Sequence, residues 1–188
     1  MKIILASQSP RRRELLSLMG VDFDVVIKEV DESFPAQLDP VAAVRYIAEQ
    51  KARAFLMGLA DELVITADTL VTIDGQILGK PMDSAHATEM LTRLSGRKHD
   101  VITAVALLHN GNIAVFHEVT EVYFRALSDE QIAHYIAHYR PFDKAGAYGI
   151  QEWIGLVGVE KIVGSYTNVV GLPTARLSAE LQSRIISH

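Results

Sequence analysis

At 188 residues the chain makes one large domain or two small lobes, and its 49% hydrophobic content is enough to build a core without covalent staples. With no cysteine, disulfides and thiolate chemistry are excluded and a cytosolic setting is permitted. The formal net charge of -5 argues against a general nucleic-acid binder, and no apolar run is long enough to span a membrane. Met1-Lys2 leads into only a few apolar residues before Ser7, so no signal peptide is expected.

Lys2-Ile3-Ile4-Leu5 reads as a short buried strand. Ser9 is a good N-cap and Pro10 suits a first helical position, so a helix starts there. Acidic residues belong in that first turn, yet it holds Arg11, Arg12 and Arg13. Such a cluster suits a bound anion, a phosphate above all. A solvated basic turn, paired with Glu14 or a distant carboxylate, is the plainer alternative. The helix ends near Gly20, and Val21 to Lys28 reads as a strand. It leads to a turn with two adjacent acids, Asp31 and Glu32, where a metal role for Glu32 competes with simple solvation.

Asp39-Pro40 opens a long helix with its apolar stripe at Val44, Ile47, Ala48, Ala52, Phe55 and Leu56. Lys51 falls seven residues after Val44, along the buried stripe. It either snorkels outward or needs an inward anion. Leu63 to Ile73 reads as a central strand covered on both faces, with Asp68 in its middle. A carboxylate there is costly unless it is paired, hydrogen-bonded or metal-bound, so a structural salt bridge stands beside a catalytic reading.

Asp74-Gly75 signals a tight turn, with Gln76 to Leu78 pairing back. Gly79-Lys80-Pro81 lacks the spacing of a Walker loop and alone reads as a turn with an exposed lysine. Met82 to Leu94 reads as a helix ended by Ser95-Gly96. Val101 to Leu108 and Ile113 to Phe124 read as strands around an Asn110-Gly111-Asn112 hairpin turn. His99, His109 and His117 lack metal-ligand spacing and read as ordinary surface or core histidines. His134 and His138, spaced i, i+4 in a helix capped by Ser128, lack the glutamate that follows the first histidine in the zincin pattern. In Asp143 to Gln151, glycines and small residues suit close approach to a ligand, and Gln151 offers a donor and an acceptor together. A tight crossover loop is the alternative. Val159 to Gly164 and Tyr166 to Val170 read as strands, and Gly171-Leu172-Pro173 opens a last helix to about Ile186. The order of elements is that of an α/β chain with a mixed sheet, without a Rossmann fingerprint.

Taken together, the chain resembles the Maf family of nucleoside triphosphate pyrophosphatases over nearly its whole length. The residues that carry the resemblance are Ala6-Ser7-Gln8-Ser9-Pro10-Arg11-Arg12, Ala67-Asp68-Thr69, Gly79-Lys80-Pro81 and Ser95-Gly96 before His99. They continue with Ala145-Gly146-Ala147-Tyr148-Gly149-Ile150-Gln151, then Gly164-Ser165-Tyr166 and Val170-Gly171-Leu172-Pro173. The resemblance implies a single domain over 1–188, elongated and two-lobed, with a central cleft, as in the inosine triphosphate pyrophosphatases. It implies hydrolysis of a nucleoside triphosphate to monophosphate and pyrophosphate with a divalent metal, Mg²⁺ or Mn²⁺. It also implies a bacterial cytoplasmic setting, often as a homodimer; from composition and charge, no membrane partner and no stable nucleic-acid binding are expected.

Residue by residue, Ser7, Arg12, Lys51 and Lys80 match the family's phosphate-binding residues. Glu32 and Asp68 match its metal-associated acids, and Asp68 its proton acceptor. Arg11, Thr69 and Gln151 match the subfamily acting on dTTP and UTP rather than on 7-methyl-GTP. One departure is Glu152-Trp153, where many members carry Gly after the Gln. The expected chemistry is in-line attack of water at the α–β linkage, in a house-cleaning or division-linked role. A non-catalytic nucleotide-binding regulator of cell division is the competing reading, which Asp68 disfavours because a carboxylate repels phosphates unless a metal intervenes.

Overall fold

Runs rich in Val, Ile and Thr supply the strands of one mixed sheet in the computed structural model, which describes residues 2–57 and 61–186, with side chains to Arg184. The strands are β1 (Lys2–Leu5), β2 (Asp24–Val25), β3 (Glu62–Ile73), β4 (Gln76–Leu78), β5 (Lys98–His109), β6 (Asn112–Phe124) and β7 (Val159–Val163). Their order is β2-β1-β3-β5-β6-β7, with β4 pairing β3. β1 runs parallel to both β2 and β3, in register Lys2 to Glu62 and Leu5 to Ile65. β4 folds back antiparallel on β3 through Asp74-Gly75, and β7 runs antiparallel to β6. The helices are α1 (Pro10–Leu18), α2 (Pro40–Arg53), α3 (Ser84–Leu94), α4 (Asp129–Tyr139), α5 (Trp153–Gly158), α6 (Tyr166–Val170) and α7 (Thr174–Ile186). The expected α/β class with a mixed sheet is what forms.

Two compact units divide the chain, each with its own core. The first comprises Met1–Asp68, Thr103–Glu118 and Gly171–His188. Its core gathers Leu5, Leu16, Leu63, Ile65, Val105, Leu107, Leu172 and Leu177. The second comprises Thr69–Ile102 and Val119–Val170. Its core is built on Val71, Leu91, Leu94, Phe124, Ile132, Tyr135 and Ile154. Among the described residues no helix is long and apolar enough to cross a membrane.

Most helix starts follow their caps. The Asp39 carboxylate accepts from the Ala42 N–H at 2.8 Å, and Ser128 with Gln131 closes a reciprocal capping box. Three expectations fail for physical reasons. The strand expected over Val21 to Lys28 shrinks to two residues, and Val25, Val26 and Ile27 are exposed. Tyr166 to Val170 is a helix, not a strand. Ser165 starts it, its carbonyl accepting from the Val169 N–H at 3.4 Å and its Oγ from the Asn168 N–H at 3.2 Å. β-branched Thr167, Val169 and Val170 carried the strand signal, but local capping wins over propensity in so short a segment. Finally, α5 forms after Gln151, where only loop and strand were expected.

Candidate active site

In the first unit, three arginines at one helix start part ways. Pro10 takes the first position of α1 and the Ser9 side chain caps it. Arg12 turns inward. Its Nε donates to the Gly171 carbonyl at 2.8 Å, and its Nη1 donates to the Ala67 carbonyl at 2.9 Å and to Ser7 Oγ at 3.3 Å. Burial holds the Arg12 guanidinium below the usual arginine range, and nearby Arg11 adds to this, while Asp68 and Glu32 pull the other way. Arg13 points outward and donates to the Gln8 carbonyl at 3.0 Å. Ser7 is buried and receives the Ser9 N–H at 3.2 Å. Arg12 therefore ties the carbonyl next to Asp68 to the start of α1 as well as placing charge there.

The two acids of the Asp31-Glu32 turn have different duties. Asp31 accepts from the Ser33 N–H at 2.9 Å and from the Ser33 hydroxyl at 2.8 Å, a local turn that holds its carboxyl below the usual carboxylate range. Glu32 reaches Lys51 instead. The Lys51 ammonium lies 2.7 Å from Asp68 Oδ1 and 2.8 Å from Glu32 Oε1. Lys51 and Asp68 are 16% and 14% exposed and Glu32 is 51% exposed, so the acid pair opens to solvent on the Glu32 side. Both readings of Lys51 resolve into one: the stripe of α2 turns it inward, and its anions are Asp68 of β3 and Glu32 of the loop. Asp68 is thus paired, as a charge in a buried strand must be.

The second unit holds the other three expected residues. Lys80 is exposed on the turn after β4, and the Gly79 carbonyl of that turn accepts from the Gly146 N–H at 3.0 Å. The 3-10 turn Ala145–Ala147 is thereby fastened to the lysine-bearing turn. Gly146 needs to be glycine there, since it has φ +67° and an added Cβ would meet the Val71 side chain at 3.0 Å. Thr69 is half-buried, and Gln151 is exposed on a turn that follows Tyr148.

That Tyr148 rests on a buried histidine. His99, 1% exposed, has its Nε2 2.7 Å from the Tyr148 hydroxyl and packs edge-on against Phe124 and Tyr148. Burial pushes the His99 imidazole down to about 3 and raises the Tyr148 phenol. Of the alternatives open for this histidine, core is correct. Unfolded, the ring takes a proton below about pH 6.5, whereas folded it stays neutral until near pH 3. Its effect on stability is therefore nil above pH 6.5 and grows unfavourable as pH falls from there toward 3, by up to about 1.4 kcal/mol per pH unit. Urea unfolding at pH 7 and pH 5 should show the wild type losing more stability than His99→Gln on acidification. Equal losses would refute the assignment.

Tyr135, Lys144 and Glu152 surround the Gln151 turn; of these the sequence marked only Glu152, as a departure from the family pattern, and gave none of the three a role. Lys144 and Glu152 flank the glycine-rich stretch with opposite charge, a usable signal, but Tyr135 lies in the apolar stripe of α4 and carries none.

Residues 2–184 match the family described as Maf-like protein. The chain belongs to the Maf family. Among curated relatives, this Maf protein is 51% identical over 183 residues to the dTTP/UTP pyrophosphatase of Phocaeicola vulgatus, covering 96% of this chain and 95% of that one. It is 49% identical over 177 residues to the dTTP/UTP pyrophosphatase of Flavobacterium psychrophilum, covering 94% and 91%. Among solved structures, a HAM1 protein from Coxiella burnetii aligns with a TM-score of 0.54 at 16% identity, over 97% of this chain and 99% of that one, a likeness of fold.

Proposed function

We propose that this Maf protein hydrolyses dTTP and UTP to the monophosphate and pyrophosphate. The observation that carries the reading is the Lys51 ammonium holding Asp68, from the middle of a buried strand, together with Glu32. The curated relatives at about half identity bear the same activity in their names.

The donor set suits a divalent cation that arrives with its substrate. Among the described residues no group of three or more His, Cys, Asp or Glu forms a cage. Glu32 and Asp68 offer hard carboxylate oxygens, and Mg²⁺ commonly uses one or two carboxylates plus substrate phosphates. Glu32 and Asp68 would hold the ion. When bound, it supplies charge neutralisation on the phosphates and polarises the phosphorus–oxygen bonds. Asp68 accepts the proton of the attacking water. Ser7, Arg12, Lys51 and Lys80 take the triphosphate charge and stabilise departing pyrophosphate. Arg11, Thr69 and Gln151 select the base, Gln151 matching the carbonyl and N–H edge shared by uracil and thymine. The proposed setting is the bacterial cytoplasm and the proposed assembly a homodimer, both on the strength of the family resemblance.

The deciding experiment incubates the purified protein with dTTP, UTP, CTP, dITP and 7-methyl-GTP and Mg²⁺ or Mn²⁺, assaying pyrophosphate and monophosphate. Equal molar release of both from dTTP and UTP, above the other three, is the expected result. Preference for 7-methyl-GTP would overturn the base assignment, and binding without turnover would overturn the reaction.

A further inference from the structure

Gln151 occupies the third place of a four-residue turn, Gly149-Ile150-Gln151-Glu152, closed by the Glu152 N–H donating to the Gly149 carbonyl at 3.0 Å. The Ile150 side chain is buried and anchors the turn, while Gln151 is exposed. One hydroxyl grips both ends. Tyr135 Oη, from α4, accepts the Gly149 N–H at 2.9 Å and donates to Glu152 Oε2. The second oxygen of Glu152 lies 3.1 Å from Lys144 Nζ, which also contacts Asp143 Oδ1 at 2.8 Å. Tyr135 is fully buried and Lys144 is 8% exposed. Burial, and then the bond to Glu152, raise the Tyr135 phenol, so its proton is present at any working pH.

A buried ion pair is weak evidence of a stabilising role, because apolar residues of similar volume can often replace it at no cost. The geometry suits a positional role. An added Cβ on Gly149 would lie 3.0 Å from Glu152 Cδ and 3.1 Å from Gln151 Nε2, so both side-chain ends pack close over the turn. The Glu152 carboxylate therefore lies directly over the turn, fixed from one side by Tyr135 and from the other by Lys144. A side-chain amide discriminates between bases only when its donor and acceptor are held within a narrow range of angle.

We infer that Tyr135, Glu152 and Lys144 form a positioning clamp that holds Gln151 in the orientation that selects the base. The inference rests on the assignment of Gln151 under the proposed function.

The test compares wild type, Tyr135→Phe and Glu152→Gln in two assays on the full chain. In the first, KM and kcat are measured for UTP and CTP. In the second, calorimetry measures binding of UMP and CMP, which needs no turnover. Each variant should raise KM for UTP and shrink the UTP-to-CTP preference by at least about fivefold, the scale of one lost hydrogen bond, with kcat within about twofold. The UMP-to-CMP binding ratio should fall in parallel. Thermal unfolding identifies a variant that is merely unfolded, and the milder Glu152→Gln retains length and shape. Unchanged base preference, or an equal loss for both triphosphates through kcat, would overturn the clamp. A wild type that binds UMP over CMP without turning over UTP would overturn the reaction while the binding ratios still decide the clamp.

Discussion

Asp68→Asn should lower turnover of dTTP and UTP by about 10²–10⁴-fold, the usual contribution of a general base, while the protein stays folded. The substitution keeps the shape of a side chain that is 14% exposed and in a central strand. Its amide oxygen can still accept from Lys51, and Lys51 retains Glu32 at 2.8 Å. Lys51 and Arg12 keep their other partners, so the unfolding midpoint should move little. Binding of substrate should weaken far less than turnover, because the residues proposed to take the phosphates, Ser7, Arg12, Lys51 and Lys80, remain. Glu32→Gln separates the two acids. Glu32 is half-exposed and is proposed to serve the cation alone, so its loss should be largely repaired by raising Mg²⁺, whereas Asp68→Asn, which loses a proposed cation ligand and the proposed proton acceptor together, should be repaired only in small part. Asp74→Asn, in a turn that pairs with Arg97, serves as a control with unchanged turnover. Near-normal rates for Asp68→Asn, or its full rescue by Mg²⁺, would remove Asp68 from the role of proton acceptor.

Much of this site is legible because helix and strand periods are simple. Seven residues from Val44 is two helical turns, which placed Lys51 on the buried stripe. An aspartate amid Val64, Ile65, Leu70 and Val71 had to have a partner. Neither rule could say that Lys51 and Asp68 meet each other, because a strand and the helix before it are docked by tertiary packing. Nor could they divide Asp31 from Glu32. Adjacent acids in a loop have no period, and only the Ser33 hydrogen bonds show that Asp31 is spent locally. Arg12 was legible as a charge and not as a brace, since its carbonyl partners Ala67 and Gly171 are remote in sequence. The Gln151 turn was read as small and glycine-rich, which is correct. Its rigidity comes from Tyr135, whose ring is core and whose hydroxyl is not, a distinction that hydrophobic patterning does not make. The helix α5 carries two glycines, Gly155 and Gly158, poor helix formers that here allow close packing.

Gly155→Ala tests that last point and carries the largest expected loss of stability. In an ordinary helix the change gains up to about 1 kcal/mol, because glycine is a poor helix former. Gly155 sits where the start of α5 folds back over the Gln151 turn, its N–H donating to the Glu152 carbonyl at 2.9 Å. A Cβ there would fall 1.7 Å from the Ile150 carbonyl oxygen and 2.6 Å from its carbon. Neither is the end of a flexible side chain, so either the helix or the turn must move, and both are fastened. Ile150 is buried, and Gly149 and Glu152 are held by Tyr135. The expected result is a loss of at least about 3 kcal/mol in urea unfolding, beyond common overpacking and near the top of what single substitutions do. Gly158→Ala meets the tip of Leu127 at 3.0 Å and Ile154 at an ordinary 3.5 Å, and Gly79→Ala meets nothing within 4 Å. Stability should therefore fall in the order Gly79→Ala, Gly158→Ala, Gly155→Ala. Any Gly155→Ala protein that folds should also lose preference for UTP over CTP, since the displaced carbonyl belongs to the residue before Gln151. A variant as stable as the wild type would show that α5 and the turn have slack between them, and the rigidity assigned to the Gln151 turn would then have no structural basis.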